Sequence, residues 1–451
     1  VLVPRGSAQH DSDGIGADDS GVRLHAVGSS PEQQPLRKQQ ALPCGIKRCA
    51  LGSVIIFGYM PDRIPSEWAP VHRVNNIEQL TAAMEIWQAA GIIGVDTEAN
   101  SFFAYHERMC LLQVSANGED WIVDPIEMGE DLKAMVPLLA DPSVIKIFHA
   151  AEFDLMILKK DLGVEVRGLF DTQVAMTLLR HDKTGLAALI QSYYGMELSK
   201  KEQRSNWGKR PLSEEQIAYA RIDTHFLVDL HGRLTAELKE ADMMAAAEGE
   251  FFRQETEILV AGTPDPERYR KMKPARGLDP EALARLKEVF FWREKVAEQR
   301  DVPLFRVLAN QGMIDIAKLA PGSIKELAEI KGMGWKQAKR YGEDILNALG
   351  EAKGKRIEIA VPKVSPEERR RRRVQRENMD EMRNWRKAMA RELDLPSERL
   401  MHRRHLEAIC RARPQSSAEL NAVVQLNDWQ RENFESSLLA KLEALPDPEQ
   451  A

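Results

Sequence analysis

The sequence predicts a mixed α/β domain followed by two all-α units, and three observations carry that prediction. The first is Ile92-Ile93-Gly94-Val95, an apolar run rich in β-branched residues that ends in Asp96-Thr97-Glu98. Two further strand-like runs, 110–115 and 121–124, are joined by the turn pair Asn117-Gly118, so three strands on short turns form a meander. The second is the apolar run 144–149, which passes directly into helical spacing over 150–158 as a strand-to-helix unit does. The third is sustained helical spacing over about 279–350 and 377–447.

A chain of 451 residues, 43% of them hydrophobic, is too long for one core and has material for roughly two to four. No apolar run approaches the ~20 residues that cross a bilayer, and the start lacks a secretory pattern, so a soluble, cytoplasmic protein with no membrane association is expected. Cys44, Cys49, Cys110 and Cys410 lack the paired spacing of a zinc site or disulfide framework and read as ordinary thiols. The formal net charge is −6, yet residues 351–413 hold 4 Lys and 15 Arg against 11 acids, a local excess of +8. Such a patch suits a polyanion.

In chain order, residues 1–70 are expected to hold the scar of a protease site at 2–7 and a disordered, Gly/Ser/Gln-rich stretch. A helix over 74–90, capped by Asn75 or Asn76, precedes the acidic strand. Helices follow at 131–139, 171–179, with Asp171 as its cap, and 185–193. Ser213 with Gln216 three later fits a capping box, which predicts one helix from Glu214 past Leu234. The α/β domain is assigned to 71–242, a linker to 243–278, helical units to 279–350 and 377–447, and a basic linker to 351–376, where Arg369–Arg373 form either the linker itself or the first turns of a helix.

Side chains two apart on a strand share a face, so Asp96 and Glu98 converge. Converging carboxylates are tolerable beside a divalent cation, and hard oxygen ligands suit Mg²⁺ or Mn²⁺. Taken singly, Asp154 reads as a helix first-turn acid favoured by the dipole, and Tyr219 as helix packing. Together the residues are harder to assemble by accident: two acids at a strand end, one at a strand-to-helix junction, and Tyr219 four before Asp223 on one helix face.

Asp96-Thr97-Glu98, then His149 through Phe153-Asp154, then Tyr219 through Asp223 resemble, in order, the three exonuclease motifs of the DEDD superfamily. The tyrosine four before the last aspartate marks the tyrosine subgroup. With two downstream units similar to HRDC domains, and with Leu198-Ser199-Lys200, Trp207 and Arg210-Pro211-Leu212, the chain resembles the ribonuclease D family over about 71–445. That likeness implies a ribonuclease H-like α/β fold, two HRDC-like domains, and hydrolysis of RNA from the 3′ end with release of nucleoside 5′-monophosphates. It implies two divalent cations, Mg²⁺ or Mn²⁺, and precursor tRNA 3′ ends as the substrate class. Asp96 would bridge the cations, Glu98 and Asp223 would complete one, Asp154 would hold the other, and Tyr219 would orient the attacking water. Phe102, Gln113, His149, Phe153 and Trp207 are expected to contact terminal nucleotides. A 3′-to-5′ DNA exonuclease and a non-catalytic RNA-binding scaffold are the competing readings, and no feature points to an obligate protein partner.

Overall fold

Six strands form one sheet in the order β1-β4-β3-β2-β5-β6: β1 His72–Val74, β2 Ile92–Ala99, β3 Met109–Ala116, β4 Glu119–Val123, β5 Ile145–Phe148 and β6 Leu169–Asp171. They belong to a computed structural model that describes residues 69–258, 260, 262, 264–358 and 364–449. The expectations for the scar, the N-terminal stretch, Cys44 and Cys49 lie outside the described residues. β2, β3 and β4 pair antiparallel as the meander requires, and the Asn117-Gly118 turn takes positive φ at both residues, 51° and 79°, the geometry of the tight hairpin turn. β5 runs parallel to β2 with Gly94 opposite Ile147. Continuing that register sets Asp96 level with His149, at the carboxyl end of the parallel strands.

Helix Ile77–Ala90 is capped by Asn76, whose side chain accepts from the Gln79 amide. It buries Leu80, Ala83 and Trp87 against the sheet, with Trp87 edge-on to Trp121 of β4. The predicted helix at 131–139 is instead two pieces, a 3₁₀ segment Gly129–Met135 and an α-helix Val136–Ala140. Pro137 has no N–H to continue the ladder and its ring crowds the preceding turn, so the spiral restarts there. Helices Thr172–Leu178 and Leu186–Tyr194 lie where their spacing predicts.

The helix predicted from Glu214 past Leu234 opens on the expected capping box of Ser213 and Gln216 but breaks at Phe226, giving Glu214–His225 and Leu227–Glu240. The first packs on β3 and β4, the second on β2 and β5, and one straight rod cannot follow both. The break rests on Gly94: a Cβ there would stand 2.8 Å from the Thr224 carbonyl oxygen and 3.0 Å from Leu227 Cβ. Absence of that atom lets the helix junction settle onto the strand that carries the acids.

Helix Met244–Thr256 lies in the segment read as a linker, yet it belongs to the α/β core. Phe251 packs on Phe170, and Glu255 accepts from the Leu169 amide. The first helical unit has its own core around Leu286, Val289, Phe290, Ile314, Leu327 and Ile345. The second opens with helix Pro366–Glu392, capped by Ser365, so the five arginines occupy its first turns. Its buried Met382, Leu406, Ile409 and Phe434 join one continuous cluster with the α/β domain. Among the described residues no helix is long and apolar enough to cross a membrane.

Gly94→Ala is expected to lower stability by about 1–3 kcal/mol, the usual cost of overpacking. The midpoint of urea unfolding measures it, and an unchanged midpoint would show that the helix junction does not depend on this close approach.

Candidate active site

Four carboxylates and a tyrosine reach one place from three elements. Asp96 and Glu98 come from the end of β2, Asp154 from the first turn of helix Glu152–Leu162, and Tyr219 with Asp223 from helix Glu214–His225. Asp96, Glu98 and Asp223 each offer a ligand oxygen within 4.8 Å of the others. These are hard, charged donors of the kind Mg²⁺ and Mn²⁺ take, so the residues fit a divalent cation. Asp154 is 5% exposed, and its Oδ1 accepts from both the amide and the hydroxyl of Thr97. The residue between the two strand acids therefore fixes the third.

Burial and mutual repulsion hold these acids far from their ordinary range. Burial, then the charges of Asp154, Asp223 and Glu98, pushes Asp96 well up. Burial, then Asp223 and Asp154, takes Glu98 to about 9. Burial raises Asp154 to about 7 against the Thr97 hydrogen bonds, and raises Asp223 to about 7 against the hydrogen bond donated by Tyr219. The Tyr219 phenol is itself pushed up by burial and by the neighbouring carboxylates. At neutral pH it is a donor, suited to orienting a water and unsuited to removing its proton.

Of the five residues expected at the nucleotide, Phe102 and Phe153 are 55% and 42% exposed and remain available for stacking. His149 is half-buried, with Nδ1 on the Thr172 hydroxyl, and burial lowers its pKa. Two expectations are corrected. Gln113 is fully buried in β3 opposite Asp96, and its Nε2 donates to Asp96 Oδ2 at 3.2 Å, so it steadies the acid from behind. Trp207 is 1% exposed and packs on Tyr219 with ring centroids 6.0 Å apart; no face is left for a base.

Two supporting groups escaped the sequence reading. Asp171 does cap helix Thr172–Leu178 through the Gln173 and Val174 amides, but it also accepts from the Ala150 and Ala151 amides and from Gln254 Nε2. It thereby clamps the turn between His149 and Asp154, where Ala150 takes φ 63°. An aspartate before a helix signals only the cap. Behind Asp223, buried Asp120 of β4 meets Arg221, His225 and Ser115, and Ser115 also meets Thr224. Burial opposes the charge on Asp120, yet the bonds from His225, Ser115 and Arg221 keep its pKa below the ordinary range. This network seats the helix bearing Tyr219 and Asp223 on the sheet.

The raised pKa values set the sign of a pH effect. Unfolded carboxyls titrate near ~4, the folded ones near 7 to 9. Between those limits the native state holds more protons, so stability falls as pH rises. Thermal unfolding in chelator should show a lower Tm at about pH 8 than at about pH 5, and added Mg²⁺ or Mn²⁺ should raise Tm more at the higher pH. A metal-induced gain independent of pH would contradict the cluster's assignment. Asp171→Asn, which turns an NH₂ donor toward amide donors, should cost about 1–3 kcal/mol and about tenfold to 10²-fold in kcat through a misplaced Asp154. Unfolding and steady-state kinetics on one preparation measure both.

Residues 71–239 match the 3′-5′ exonuclease family, and 282–349 and 375–442 each match the HRDC domain. Exosome complex component 10 of Rattus norvegicus is 33% identical over 266 residues, 57% of this chain, and the chain spans about 30% of that relative's length. Ribonuclease D of Gluconacetobacter diazotrophicus is 32% identical over 291 residues, covering 62% of this chain and 71% of the relative. The crystal structure of Escherichia coli RNase D, an exoribonuclease involved in structured RNA processing, superposes with a TM-score of 0.60 at 22% identity. It covers 84% of this chain and 100% of its own, so the fold is shared through both helical units. With a clustered acidic site on a 3′-5′ exonuclease domain, two HRDC domains after it, and this extent of likeness, the chain belongs to the ribonuclease D family.

Proposed function

We propose that the protein is a metal-dependent 3′-to-5′ exoribonuclease that trims RNA 3′ ends one nucleotide at a time, with precursor tRNA as its substrate class. The convergence of Asp96, Glu98 and Asp223 oxygens within 4.8 Å, beside Asp154 and Tyr219, carries this reading.

Asp96, Glu98 and Asp223 would hold one cation, and Asp96 with Asp154 a second. Bound together, two such ions supply a nucleophile at neutral pH and neutralise charge on the attacking and leaving oxygens. The chain's own residues do the remaining work. Thr97 keeps one oxygen of Asp154 fixed and Gln113 steadies Asp96. The Tyr219 hydroxyl, held protonated by its surroundings and hydrogen-bonded to Asp223, would donate to the attacking water once a cation takes up that carboxylate, while Phe102 and Phe153 would present faces to the terminal bases. RNA as the substrate is supported by the family and by the HRDC units, the second of which exposes Arg369, Arg370, Arg372 and Arg373 along its first helix.

Asp96→Asn should lower hydrolysis by about 10²-fold or more and leave RNA affinity largely intact. End-labelled RNA incubated with metal or chelator reads direction and step size, and a DNA strand of the same sequence run beside it reads sugar selectivity. Full activity in that variant would remove the metal assignment, and an internal cleavage pattern would remove the exonuclease reading.

A further inference from the structure

The loop between β2 and β3 leaves the active site one residue after Glu98 and is held by the first helical unit. Asp301 Oδ1 accepts from the Tyr105 and His106 amides at 3.0 Å each, and the Tyr105 hydroxyl donates to Glu294 Oε2 at 3.0 Å. The Tyr105 ring packs on that unit's core, and the Arg306 guanidinium lies 5.0 Å from the centre of the Phe103 ring.

Either side of this contact an apolar ring faces solvent. Phe102 is 55% exposed and Phe305, on the short helix Leu304–Val307, is 58% exposed. Single exposed rings are commonplace. What sets this pair apart is that the two chain neighbours of one docking contact both turn outward, next to a cation. Arg306 is exposed, and among the described residues no carboxylate pairs with it. Two free aromatic faces and an unneutralised guanidinium, on the loop that leaves the acidic cup and on the unit that holds that loop, match the repeating base and phosphate of a single strand. A protein partner would be expected to bury a broader apolar area than two rings separated by a charge.

We propose that Phe305 and Arg306 of the first helical unit, docked beside Phe102, form an entry lip that binds the single-stranded nucleotides just upstream of the 3′ end. The proposal rests on the exonuclease reading above and adds to it a binding surface outside the α/β domain. Phe305 stacks on a base, Arg306 meets a phosphate, and the β2–β3 loop joins this surface to Glu98.

The test uses the full chain carrying Asp96→Asn, with 5′-fluorescent single-stranded RNA of about eight nucleotides and a dinucleotide, read by anisotropy. Phe305→Ala should weaken the longer strand about tenfold, within the range of one lost stacking contact, and shift the dinucleotide far less. Phe305→Trp should restore the affinity, which a packing defect would not allow. Arg306→Gln should reduce the slope of log K against log salt by about 0.7, one phosphate contact on a single strand. Equal affinity of the parent and Phe305→Ala for the longer strand would overturn the lip. Hydrolysis of that strand by the protein with Asp96 intact is scored separately. Activity with no Phe305 effect removes the lip alone, whereas neither binding nor hydrolysis removes the lip and the exonuclease reading together.

Discussion

Four carboxylates forced together away from water are the constraint around which this molecule is built. At an effective dielectric of ~20, two unit charges ~4 Å apart repel by about 4 kcal/mol, and burial adds a desolvation cost to each. No single element could hold such a set, since adjacent positions on one helix or strand would spread it. Three elements instead each deliver part of it, and three of the four acids have a donor from their own surroundings: Gln113 for Asp96, Thr97 for Asp154, Tyr219 for Asp223. Burial first, and the repulsion that remains after it, appear as pKa values of about 7 to 9. That repulsion is the electrostatic potential a divalent cation would relieve.

Holding that arrangement requires a second layer that does not yield. Where the helix pair meets β2, Gly94 removes the Cβ that would keep Thr224 and Leu227 away. Where β5 turns into its helix, Asp171 gathers the Ala150 and Ala151 amides. Beneath the helix that carries Tyr219 and Asp223, Asp120 anchors Arg221 and His225. Each is a buried charge or a close backbone approach. Such features are costly unless satisfied, and here the polar ones are met by several donors.

The parts legible in the sequence were those set by local rules. A β-branched run ending in acids, an Asn-Gly turn, a capping box and a strand-to-helix junction each have a short-range physical cause, and they sufficed for the family's motifs. The break at Phe226 was not legible, because apolar spacing continues through it and only the change of packing partner demands it. β1 and β6, three residues each, are too short to show alternation. Gln113 and Trp207 have the chemistry of nucleotide contacts, but burial is a tertiary property, and it turned both into supports for the acids and the tyrosine. Asp171 advertises only its cap, since its other donors come from residues twenty or more positions away or from the segment read as a linker.

That same segment changes how the helical units relate to catalysis. Helix Met244–Thr256 touches the site's support at one face, through Gln254 on Asp171, and the second helical unit at another. Glu250 pairs with Arg399, Glu257 with Arg404 and His405, and Gly249 leaves room for Asn427. The first unit, through Asp301, Glu294 and Arg306, holds the loop that begins beside Glu98. A reading in which both units only grip folded RNA at a distance treats them as handles. The contacts make them part of the mounting, because the first holds the loop next to Glu98 and the second packs on the helix whose Gln254 reaches Asp171. Displacing either unit would therefore change the shape of the cup as well as the surface proposed to receive RNA, and loss of activity on removing a unit would not by itself measure RNA affinity.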